Sequence, residues 1–330
     1  MRTRAGRSGR LPRFAVLCTA LLGLQACQRL PASSPAVADS GGATGRPTIR
    51  IGSAFGPFVT PLTAEYRRQL TRLQFSTRDA GTSTAVLQSL EAGTLDLGVA
   101  TADDAYEDVW GSRTGATTPQ GRVRAMALLQ PLPVYLLAGA GSHIGSVTDL
   151  NRRRVGMSTP GSVSNAVGQR VLTAFGVDDA RVVTGSGREV LLDQLRLGQI
   201  DAMFLTGYVY PDDTTRQAMA SGAYVVGIDG PAVASLRHHS PFLRSVPIAS
   251  GLGTPSGARH TIGVNLIVVT RQDLGEDLVY QLTEAMFAGF SQLAGVEDTL
   301  RFLQIDDALA TPIPLHPGAA RYFRERELRR

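Results

Sequence analysis

Residues 83–110 read STAVLQSLEAGTLDLGVATADDAYEDVW. Val86, Leu87 and Leu90 recur at helical spacing, which predicts an amphipathic helix over 83–92 with one buried face. Gly93 stops it, because glycine takes the left-handed conformation that closes helices. The apolar run from Leu95 to Thr101 is bounded like a buried strand, and Asp103 to Trp110 returns to helical spacing. Helix, strand and helix in so short a stretch are the rhythm of an α/β protein built from right-handed parallel units.

The same rhythm extends both ways. Strands are expected at 49–54, 74–80, 95–101 and 125–130, with helices at 57–73, 83–92 and 103–110. After Pro131-Leu132-Pro133 come strands at 134–138, 153–158, 180–184, 200–206 and 224–228, with helices at 162–175, 188–197 and 211–220. The long apolar run TIGVNLIVVT (261–270) reads as a strand, and 274–293 as a helix.

The N-terminal end has a different character. Five arginines (Arg2, Arg4, Arg7, Arg10, Arg13) precede an apolar run from Phe14 to Leu24. That run is shorter than the ~20 residues a membrane span needs, so it reads as a secretory signal. It ends Leu24-Gln25-Ala26-Cys27, which resembles a bacterial lipobox with Cys27 as the lipidated residue. Cleavage nearby as a plain signal peptide is the alternative. A signal over 1–26 and a Pro/Gly-rich tether over 27–46 are expected. The chain has 33 basic and 28 acidic residues. Loss of the signal removes five basic residues and no acids, so the rest is charge-balanced, and the high pI carries no nucleic-acid footprint. Cys18 and Cys27 are the two cysteines, so no disulfide is expected after export.

Five segments, in order, resemble the TAXI family of extracytoplasmic solute receptors for TRAP transporters. They are Gly81-Thr82-Ser83-Thr84 with residues 87–106, SVTDLNRRRVGMSTPGSVSNAVGQRVLTAFGV (146–177), LRLGQIDAMFLTG (195–207), DLGEDLVYQLTEAMF (273–287) and LHPGAARYFRE (315–325). The resemblance implies a two-lobed type II periplasmic-binding-protein fold. Residues 47–132 and 262–330 would form one lobe and 133–261 an inserted second, joined by two long hinge strands around 125–138 and 261–270 that carry the chain between lobes and back. It also implies a monomeric, non-enzymatic receptor without a cofactor. Such a receptor captures a small organic solute (an amino acid, dicarboxylate or keto acid) by hinge closure and passes it to TRAP membrane subunits. The glycine-rich stretch 52–58 and the Ser83-Thr84-Ala85 start depart from the family pattern. An ATP-driven importer of the nitrate/sulfonate type, or a sensor, would use the same fold differently.

In such folds ligands sit beyond the carboxyl ends of strands. The candidate binding residues there are Thr82, Ser83, Asp103, Ser158, Gly161, Ser162, Ser164 and Thr206. Helix N-termini at these places suit an anion. Ser83 and Ser162 could instead cap their own helices, and Gly161 could be a turn glycine. Asp103 and Tyr106, one turn apart, could hold an ammonium and cover its carbon body, or act as cap and packing residue. Phe58 and Tyr208 are candidate lids, though aromatics at such positions also serve cores. A serine hydrolase using Ser83 is a further reading, with His238, His239, His260 or His316 as partner. No spacing of His, Cys, Asp and Glu suggests a metal.

Overall fold

A computed structural model describes residues 45–111, 118–185, 187–207, 213–248, 260–293 and 305–328. The chain opens with β1 (Thr48–Ser53), α1 (Gly56–Gln69), β2 (Gln74–Asp79), α2 (Ser83–Glu91), β3 (Leu97–Thr101) and α3 (Ala102–Trp110). The long β4 (Val123–Ala138) leads to β5 (Arg154–Gly156), α4 (Val163–Ala174), β6 (Arg181–Val183), α5 (Arg188–Arg196), β7 (Ala202–Thr206) and α6 (Asp213–Ala220). Then come β8 (Tyr224–Val226), α7 (Pro231–His239), β9 (Leu243–Pro247), β10 (His260–Arg271), α8 (Glu276–Leu293), α9 (Ile305–Ala308) and α10 (Pro317–Leu328).

Among the described residues ten strands form one sheet, ordered β2-β1-β3-β10-β4-β7-β5-β6, with β8 beside β4 and β9 beside β10. The expected parallel units are present where a helix crosses over: β1 pairs parallel with β2 and β3, and β5 with β6 and β7. At the centre the sheet is antiparallel, through β10–β3, β10–β4 and β4–β7. The sheet is therefore mixed, because β4 and β10 run back through it.

Pro131 and Pro133 lie inside the long strand expected around 125–138, although proline cannot donate to a ladder. The structure keeps β4 continuous through both. Its ladder with β10 shifts register just beside Pro131, between Asn265 and Ile267. The Asn265 side-chain amide donates to the Leu129 carbonyl at 2.6 Å. Gly263 lies opposite Pro133, where a Cβ would sit 2.6 Å from the Leu132 carbonyl oxygen. Glycine is what lets the two backbones meet there.

The core lies on both faces of β4 and β10. Leu266, Ile267, Val268 and Val269 are fully buried. Each such side chain is worth about 1.5–3 kcal/mol of burial. One face packs against α2, α3 and α4, and the other against α1, α8 and α10. α7 and β9 were not anticipated. Their sequence (231–247) ends its helix in adjacent histidines and carries little periodicity. Among the described residues no helix is long and apolar enough to cross a membrane.

Candidate functional site

The ends of β1, β5 and β7 and the starts of α2, α3, α4 and α5 surround a cleft of about 510 Å³. That is within the usual range for small-molecule sites. One wall is Ala54, Phe55, Gly81–Thr84 and Asp104; the other is Ser158–Ser164, Arg188, Leu205 and Thr206, and Leu132 of β4 also lines it.

Local chemistry explains these walls. Thr82 is the N-cap of α2, its hydroxyl accepting from Ala85 N–H at 3.1 Å. Ser83 is buried, and its hydroxyl accepts from Thr101 N–H at 3.0 Å, which ties α2 to the end of β3. On the other wall Ser162 caps α4, accepting from Asn165 N–H at 3.3 Å. The Asn165 amide donates to the Ser158 carbonyl at 3.0 Å, so the 158–162 turn is pinned to the helix that follows it. Gly161 takes φ +85 with open space where a Cβ would point, so conformation requires the glycine there. Ser164 is buried behind Ser162, their hydroxyls 3.5 Å apart. The Thr206 hydroxyl is buried without a hydrogen-bond partner among the described residues. A buried hydroxyl left so is costly unless a bound molecule meets it.

Thus Thr82, Ser83, Ser158, Gly161, Ser162, Ser164 and Thr206 share one cleft. Three other candidates do not line it. Phe58 is 4 % exposed and packs in the core with α1 and α8. Tyr106 packs on Phe242, ring centroids 5.4 Å apart. Asp103 is buried, and the lining position on α3 belongs to its neighbour Asp104. Tyr208 and Cys27 lie outside the described residues.

Arg188 and Asp104 are the charged residues of the cleft, and the sequence reading named neither. Arg188 is the first residue of α5 and donates to the Thr215 hydroxyl at 2.8 Å. Its signal in the sequence was only its place after a strand and a glycine turn. Asp104 sits in the first turn of α3, where the helix dipole favours an acid. Burial still pushes its carboxyl up to about 6, with the Asp103 charge adding to the rise. The Thr101 hydroxyl and Arg170 pull it down, while Glu107 pushes it up. Near neutral pH it is mostly ionised.

The hydrolase reading finds no support. Ser83 is held by a backbone N–H, and His316 is buried with Nδ1 accepting from Gly318 N–H at the start of α10. His238, His239 and His260 are exposed. Among the described residues no cluster of His, Cys, Asp and Glu could hold a metal ion.

A doubly wound mixed sheet with a cleft walled by helix N-termini places the chain in the α/β class. Within it, this chain belongs to the NMT1-like family, whose model matches residues 56–326. Among solved structures it is similar to the periplasmic aliphatic sulphonate binding protein SsuA from Escherichia coli. The two share 16 % identity over 85 % of this chain and 84 % of that one, with a TM-score of 0.51. It is also similar to XAC2383 from Xanthomonas citri bound to ATP, at 11 % identity over 84 % of this chain and 94 % of that one, with a TM-score of 0.50. The fold is that of periplasmic binding proteins.

Proposed function

We propose that the protein is an extracytoplasmic receptor that captures a small anionic organic solute and hands it to a membrane importer. The observation that carries this is the convergence of four helix N-termini and Arg188 on one cleft. Unpaired N–H groups at helix starts hold an anion, and a guanidinium adds bidentate pairing with a carboxylate or sulfonate. Residues 47–132 with 262–330 would form one lobe and 133–261 the other. Closure about β4 and β10 would bury the solute, because contacts to both walls favour the closed form.

The NMT1-like family and the likeness to a sulphonate-binding protein favour an ATP-driven importer as the partner. Delivery to TRAP membrane subunits is the second reading, favoured by the ordered segments from Gly81 to Glu325. Genes beside this one separate the two: an ATPase with its permease, or TRAP membrane subunits. Export with a lipid on Cys27, followed by the 27–46 tether, would keep the receptor at the membrane. Cys27→Ser should then release it to the soluble extracytoplasmic fraction, and unchanged membrane retention would remove the anchor from this account.

A thermal-shift screen with sulfonates, carboxylates and amino acids tests the receptor itself. A solute at 100 times its Kd adds about 2.7 kcal/mol of stability. Arg188→Ala should abolish the shift, and a hit insensitive to Arg188→Ala would place the site elsewhere.

A further inference from the structure

The two charged residues of the cleft stand on opposite walls, Asp104 on the wall built by the first half of the chain and Arg188 on the other. A simple anion would meet the Arg188 charge and the helix N-termini and leave an acid facing it. A dicarboxylate would set its second charge against the same acid. A solute that carries a cation beyond its anionic end meets both walls with opposite charge.

We infer that Asp104 is the specificity-determining residue of the cleft, selecting zwitterions, that is, amino carboxylates or aminosulfonates, over the matching plain anions. This rests on the receptor reading above and narrows its solute class. The Thr206 hydroxyl adds an acceptor or donor on the Arg188 wall, where the anionic end would lie. Selection also depends on pH. The charged groups acting on Asp104 are Asp103 and Glu107 on its own helix and Arg170 from α4, and Arg188 lines the opposite wall. Burial foremost, then Asp103, holds the carboxyl at about 6, so it is ionised at pH 7.5 and mostly protonated at pH 5.5. The population able to hold an ammonium falls about fourfold between those values.

Calorimetric titration of the purified protein with matched pairs tests this. The pairs are β-alanine and propionate, 4-aminobutyrate and butyrate, 6-aminohexanoate and hexanoate, and taurine and ethanesulfonate. At pH 7.5 the amine-bearing member of at least one pair should bind at least tenfold tighter, and its advantage should shrink about fourfold at pH 5.5. Asp104→Asn should erase both the advantage and its pH dependence, Asp104→Glu should keep them, and Arg188→Gln should weaken both members of the pair. Plain anions that bind as tightly as their amines, or an amine advantage that survives Asp104→Asn in a folded variant, would overturn the inference and leave the anion receptor standing. If none of the eight compounds binds the folded wild-type protein, the receptor reading for small anions fails and the inference falls with it.

Discussion

In the first half of the sheet Arg50 clasps Asp96, and in the second half Arg154 clasps Asp201. Arg50 donates its backbone N–H, Nε and a terminal nitrogen to Asp96 at 2.9, 2.8 and 2.7 Å. Arg154 makes the same three bonds to Asp201 at 2.7, 3.1 and 2.7 Å. The aspartates occupy matching places in two matching segments, LEAGTLDLGVAT (90–101) and LRLGQIDAMFLT (195–206). Each segment ends a helix at a left-handed glycine, Gly93 at φ +69 and Gly198 at φ +67, and then enters a strand. The surroundings differ. Asp96 is 8 % exposed and has a second cation, Arg271 of β10, at 3.5 Å. Asp201 is 20 % exposed, and its ion pair is with Arg154 alone among those observed. One local device is thus used twice, but in the first half a distant strand covers it and in the second it stays near solvent.

The largest expected effect breaks that comparison directly. Asp96→Asn should cost about 3 kcal/mol in urea unfolding, because it removes the buried carboxylate shared by Arg50 and Arg271 and leaves Arg271 only Asp273, at 3.4 Å, as an acid partner. Asp201→Asn should cost about half that, near 1.5 kcal/mol. Equal losses would mean that β10 adds nothing to the first clasp. The pH dependence follows the same lines. Burial works against the Asp96 charge, but the Arg50 guanidinium and N–H, with Arg271, overcome it and hold the carboxyl below its ordinary value. Arg154 holds Asp201 below its ordinary value too. Both contributions are therefore complete above the ordinary carboxyl range and are lost as pH falls through the folded values, below about 4. Each Asn variant should flatten that acid loss.

The caps come next. Thr82→Ala and Ser162→Ala should each cost about 1 kcal/mol of stability. Ser162→Ala should also weaken solute binding, and a purely structural Ser162 would show only the first effect. Arg170→Ala sharpens the comparison from the side. Arg170 of α4 pairs with Glu107 of α3 and lies 5.1 Å over the Phe242 ring, so it straps the halves together. Its loss should cost about 1 kcal/mol in thermal unfolding. The smallest effect belongs to Thr206→Val, which should leave stability within about 0.5 kcal/mol while lowering solute affinity. A clear loss of stability would show that its hydroxyl is bonded within the protein.

Much of this architecture was legible because each unit announces itself locally. Leu90, Gly93, Leu95 and Asp96 mark helix end and strand start without any distant contact. The long strand around 125–138 was legible as well; what the sequence does not show is how it tolerates Pro131 and Pro133, since Gly263 and Asn265, which accommodate them, lie some 130 positions away. The cleft's hydroxyls and glycine were read from strand ends followed by helices. Its acid was misplaced by one residue, because α3 begins at Ala102 and neighbouring side chains on a helix point about 100° apart. Arg188 was invisible for another reason: every basic residue of this chain is arginine, so one more carries no mark.

The threading of β10 between β3 and β4 sets the order in which the molecule can be completed. The Thr270 hydroxyl donates to the Asp96 carbonyl, a contact between residues 174 positions apart. During synthesis β3 has an unpaired edge until the chain has grown past Arg271, so the earliest strands made wait for one of the last. Contacts so distant in sequence slow folding, and an open strand edge invites the wrong partner meanwhile. A chain stopped before His260 would keep its second clasp and lose the neighbour of its first.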